Sequence, residues 1–133
     1  MGMRETVPGL PGTAGTRLVS AGVGWDAVKV ARFFALQAIE MLSRPGAVAV
    51  DPGPAEPVLY FFVPVGSTAD WRLPQVTTLG TATHLVLPPA HCQAPPGPYW
   101  LVPPAGGRLP LTDPTALHRA LAAVLGPREE QLS

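Results

Sequence analysis

Prolines cut the apolar sequence of this chain into pieces too short for most architectures. Eighteen of its 133 residues are proline and fourteen are glycine. Proline lacks the amide that a ladder or a helix interior requires, so an apolar run ends where proline stands. AVAV (47–50) stops at Asp51-Pro52-Gly53-Pro54, and VLYFFV (58–63) stops at Pro64 and Gly66. QVTTL (75–79) stops at Gly80, THLVL (83–87) at Pro88-Pro89, and YWLV (99–102) at Pro103-Pro104. Strands this short, with few residues between them for crossover helices, predict antiparallel pairing. VLYFFV is apolar at every position, which predicts cover on both faces, one of them supplied by a helix.

Two stretches follow the helical period instead. In RFFALQAIEML (32–42), Ala35, Ala38, Ile39 and Leu42 mark one buried face, and Arg44-Pro45-Gly46 ends it. WDAVKVA (25–31) reads as a preceding strand, with a single helix over 27–43 as the competing reading. Phe33 and Phe34 add apolar surface beside the buried stripe, so this helix is covered twice, by the chain itself or by a partner. In TDPTALHRALAAVLGP, Thr112 or Asp113 caps a helix that has Pro114 in its first turn. Its stripe is Leu117, Leu121, Val124 and Leu125, and Gly126-Pro127 terminates it. The expected architecture is α+β: a small, mostly antiparallel sheet of about five or six short strands with two helices. Residues 1–22 read as a flexible leader, 23–126 as a single domain and 127–133 as a charged tail.

Composition narrows the partners. Only 14% of the residues are charged and the formal net charge is zero, against roughly 25% charged in ordinary soluble domains. Lys29 is the single lysine, and the arginines are scattered without a run. A linear phosphate-binding track is therefore missing. Cys92 is the only cysteine, so no internal disulfide points to an oxidising compartment. No signal peptide and no membrane span is legible, and a cytoplasmic location is expected.

Three of the strands also carry a resemblance. Val58-Leu59-Tyr60-Phe61 followed by Val63-Pro64-Val65-Gly66 is similar to the strand with a His-x-Tyr-Phe core and proline-glycine exit of bifunctional DNA primase/polymerase N-terminal domains. Leu79 to Pro89 resembles the glycine turn, apolar strand and Pro-Pro step of that family, and Tyr99 to Val102 its next aromatic strand. The resemblance spans about residues 46 to 104 and implies an ancestry in metal-dependent nucleotidyl transfer. Such transfer needs acidic groups converging on divalent cations. This chain departs from the pattern at those points. It has no Asp-x-Asp/Glu pair, Val58 stands at the family's histidine, Asp51 stands alone, and Glu56 lies in a proline-broken loop. The resemblance therefore implies a shortened, non-catalytic relative.

LGTATHLVLPPAHC (79–92) gathers His84, His91 and Cys92. Zinc sites close with paired ligands at short spacings, whereas these histidines are separated by Pro88-Pro89, and adjacent His91 and Cys92 diverge on an extended chain. No nucleophile elbow accompanies Cys92, so no catalytic residue, metal or cofactor is expected. The candidate ligand-binding residues are Trp71 and Arg72, in the polar turn STADWRLP, with Gly80, Thr81 and His84 beside the glycine turn. The expected function is a non-catalytic module contacting a nucleotide or single-stranded nucleic acid. The alternative is an oligomeric accessory protein that binds only protein through the apolar helix. A small hydrolase or metalloenzyme ranks third, on the histidines alone.

Overall fold

The computed structural model describes residues 17–20, 24–53, 55–80, 83–89, 91–104 and 109–126. Most of the anticipated leader and the C-terminal tail lie outside the described residues. The elements run β1 (Arg17–Ser20), β2 (Asp26–Ala31), α1 (Arg32–Glu40), β3 (Val48–Asp51), β4 (Val58–Val63), β5 (Val76–Leu79), β6 (His84–Leu87), β7 (Tyr99–Val102) and α2 (Pro114–Leu125). The fold is α+β, as the sequence predicts. The split at residues 31 and 32 is a strand followed by a helix, not one continuous helix.

Five strands form one antiparallel sheet in the order β5-β2-β4-β3-β7. β4 is central, with Phe61 opposite Val28 and Val48, and Phe62 opposite Ala27. Side chains alternate across a strand, so the two adjacent phenylalanines enter two different cores. Phe61 joins Val28, Val30, Val48, Val50, Leu59 and Val63 under Ala35 and Ala38 of α1, Leu42 just beyond it, and Leu117, Ala120 and Leu121 of α2. Phe62 joins Trp25, Ala27, Ala47, Ala49 and Trp100 on the other face, where Leu85 and Leu87 of β6 complete the cover. Burying either ring contributes roughly 1.5–3 kcal/mol, and β4 collects this on both sides.

β6 is not part of the main sheet. It pairs antiparallel with β1, Arg17 opposite Leu87 and Ser20 opposite His84. This two-stranded ribbon lies across the face opposite the helices. Arg17–Ser20, inside the stretch read above as leader, is thus a strand. The molecule has three layers: helices, sheet and ribbon.

The α2 entrance shows why two capping candidates preceded it. Asp113 takes the capping role, its Oδ2 accepting the Ala116 amide at 3.2 Å, with Pro114 following it in the first turn. Thr112 is buried and used elsewhere. Its Oγ1 accepts the Gly46 amide at 2.9 Å, and its own amide donates to the Phe62 carbonyl at 2.7 Å. The Ala47 amide donates to Pro110 O at 2.9 Å. These bonds clasp the end of the α1 connection to the approach of α2. A Cβ on Gly46 would lie 2.5 Å from Pro110 O and 2.8 Å from Thr112 N. Gly46→Ala is expected to destabilise by about 1–3 kcal/mol through overpacking against backbone. Thr112→Val, which strands the Gly46 amide, is expected to cost about 1–3 kcal/mol. Urea unfolding of both single variants and the double variant checks this, and the two losses should be less than additive because they break one clasp.

Candidate functional site

The anticipated ligand-binding residues do not share one cleft. Trp71 is half-buried against the helix-side core, and its ring meets that of His118 edge-on with centroids 5.1 Å apart. Arg72 beside it is exposed. Ser67, Trp71, Pro114, Thr115 and His118 line a shallow depression of about 210 Å³. His84 is exposed on β6, in the ribbon on the opposite face of the sheet. Gly80 follows β5, and Thr81 lies outside the described residues.

The histidine–cysteine stretch is a turn built around an indole. Trp100 is buried, and its Nε1 donates to the carbonyls of Pro88 and Pro89 at 3.2 and 3.0 Å. The Cys92 amide donates to Pro89 O at 3.0 Å, and the Trp100 amide donates to Cys92 O at 2.8 Å. The Cys92 thiol lies 3.5 Å from Ala94 O and 3.7 Å from Pro98 O. His91 points to solvent. Among the described residues, no three His, Cys, Asp or Glu side chains come together as metal ligands. None of the described helices is long and apolar enough to cross a membrane.

Sequence reasoning missed Asp26. It opens β2, on the strand face shared with Val28 and Val30, and is only 6% exposed. Its Oδ2 accepts the Gly66 amide at 2.8 Å, which ties the turn after β4 to β2. Its Oδ1 is buried with no hydrogen-bond partner among the described residues. Gly80 faces it: a Cβ there would sit 3.6 Å from Oδ1, in ordinary contact. The glycine turn singled out in the sequence thus lies beside a half-satisfied buried carboxyl group. Such an atom costs about 1–3 kcal/mol or more. The one sequence signal was an acidic residue at the start of the mostly apolar strand DAVKVA.

Tyr60 and Asp51 occupy the ribbon-side face. Tyr60 stands opposite Ala49 and Asp51 opposite Val58, which makes them diagonal neighbours. Burial, and then the Asp51 charge, raise the Tyr60 hydroxyl above its ordinary pKa of 10.0.

Among the described residues, exposed apolar side chains gather at the outer face of α1 and at its C-terminal cap. Phe33 is 66% exposed, Met41 55% and Leu36 40%. Phe33 and Leu36 border a groove of about 520 Å³ completed by Arg32, Gln37, Glu56 and Pro57, whereas Met41 borders a separate depression against Ala116, Arg119 and Ala120 of α2. The Arg32 amide donates to Pro57 O at 2.9 Å, which fixes the groove's far wall. α1 is weakly made on its own account. Ala31 offers no side-chain cap, Arg32 stands at the positive end of the helix and Glu40 at the negative end. Each charge opposes the helix dipole, an effect of about 0.3–1 kcal/mol at low salt.

Comparison with known proteins finds no matching family model, no matching curated protein and no matching solved structure.

Asp26→Asn keeps an acceptor for the Gly66 amide, so its urea midpoint should stay closer to that of the natural chain than the midpoint of Asp26→Ala. Asp26→Ala strands that amide and should lose about 1–3 kcal/mol. Tyr60 sets an alkaline limit. Its folded-state pKa is raised, so the unfolded chain ionises first; stability from this group is full below pH 10 and is lost as pH rises through the folded value. Absorbance titration should place Tyr60 above 10, and Asp51→Asn should lower that midpoint without returning it to 10.

Proposed function

We propose that the protein is a non-catalytic interaction module whose working surface is the outer face of α1. One observation carries this reading. The large apolar side chains Phe33 and Leu36 are exposed on a helix whose opposite face, Ala35 and Ala38, is already packed into the core, and Met41 at its C-terminal cap is exposed as well. Isolated apolar residues at a surface need no explanation, but Phe33 and Leu36 line one groove together, and exposed apolar residues gathered at a concave surface are a usual mark of a binding surface. The absence of an Asp-x-Asp/Glu pair from the sequence supports a binding role over nucleotidyl transfer. A cytoplasmic setting and descent from a primase/polymerase-like domain belong to the same proposal.

A second reading has its own observation. Exposed Arg72 follows Trp71 in the chain, and Trp71 and His118 line a depression on the helix side of the sheet. That combination of an aromatic ring and a lone cation suits one base and one phosphate of a nucleotide or single strand. Calorimetry with nucleoside triphosphates and short single-stranded DNA, with and without magnesium, tests it. Heat that vanishes in Arg72→Ala supports the nucleotide reading; magnesium-dependent primer extension would overturn the non-catalytic role altogether.

For the leading reading, Phe33→Ser with Met41→Gln is expected to leave the melting temperature within about 2 °C of the natural chain. Binding of a fluorescent apolar-surface dye should fall at least twofold. A drop in melting temperature of more than about 4 °C would place these side chains in the chain's own interior and sink the proposal.

A further inference from the structure

We infer that the occupant of the α1 face is a second copy of this chain, laid antiparallel about a two-fold axis near Leu36 and Gln37. This rests on the interaction-module reading and names the partner for its surface. The observation that selects the partner is the arrangement of charge. The exposed side of α1 carries Arg32, Phe33, Leu36, Gln37 and Glu40. The basic residue stands at the N-terminal end and the acidic one at the C-terminal end, about 12 Å apart along the axis at 1.5 Å per residue. Both are misplaced for the helix they belong to.

An antiparallel second copy corrects both misplacements at once. Arg32 of each helix then lies beside Glu40 and the negative helix end of the other, twice by symmetry. Between those charge pairs, Leu36 and Gln37 of the two copies meet at the axis. Phe33 of each reaches toward the partner's groove, whose far wall is Glu56 and Pro57. A parallel arrangement would instead stack Arg32 on Arg32 and Glu40 on Glu40. An anionic membrane is a poor fit, because the face carries one charge of each sign and no basic cluster. A uniformly charged peptide would leave one of the two charges opposed.

The contact is modest. A nine-residue helix with a loop rim falls at the low end of specific interfaces, below roughly 1,200 Å² in total. The dimer should therefore form in the micromolar range, roughly 1–100 µM, rather than persist at nanomolar concentration.

Sedimentation equilibrium of the full chain from about 1 to 500 µM, a range set to bracket that affinity, at low salt provides the test. The expected result is a rise from one to two chain masses. Arg32→Glu alone, or Glu40→Arg alone, should move the midpoint at least tenfold higher in concentration, and the double swap should bring it back. Phe33→Ser should abolish association, with circular dichroism confirming that each variant is folded. A chain that stays monomeric throughout overturns the inference, as does a double swap that fails to restore association. Either failure is distinguishable from failure of the interaction-module reading, which is decided by the melting and dye measurements on the Phe33/Met41 variant.

Discussion

The double burial of β4 is the constraint on which the rest of the structure depends. Phe61 and Phe62 are consecutive, and a strand sends consecutive side chains to opposite faces. Both rings are fully buried, so neither face of the sheet can be left to water. The helices roof one side, and because the chain supplies only α1 and α2 among the described residues, the other side is roofed by the β1–β6 ribbon. Trp25 and Trp100 fill the space between ribbon and sheet, each packed on Phe62, with centroids 5.0 and 6.0 Å from its ring. Trp100 can occupy that space because two proline carbonyls answer its indole N–H.

The clasp at Gly46 and Thr112 joins this sandwich to its helical roof. Two bonds bring the approach of α2 against the connection after α1, and a third ties it to the Phe62 carbonyl in β4. Phe62 therefore fills the ribbon-side core with its ring and, through its carbonyl, anchors the approach to the helix that covers Phe61.

What was legible in the sequence was local. Prolines marked where strands end, VLYFFV announced two covered faces, and the Leu117–Leu121 stripe with Asp113, Pro114 and Gly126 defined α2 within a residue or two. What was not legible depended on distant partners. Nothing in THLVL states that it pairs with Arg17–Ser20 rather than joining the main sheet, because its alternation fits either. Trp71 sits in a polar turn, yet the ring turns inward to His118 on α2, far along the chain. Thr112 and Asp113 are interchangeable as capping residues by type, and only the proximity of Gly46 assigns Thr112 its other task. Asp26 was hidden for the same reason: its burial is created by the Gly66 turn and Gly80, both remote in sequence.

The prolines have a consequence beyond ending strands. The rims of the main sheet, β5 and β7, are each four residues long. Pro74 stands just ahead of β5, while Pro98 and Pro103-Pro104 bracket β7. A foreign chain seeking to extend the sheet finds only a few free amides before a residue that cannot donate. With a net charge of zero, mutual repulsion offers these molecules little protection against amyloid-like stacking. The defence is geometric instead, written into where the backbone runs out of donors.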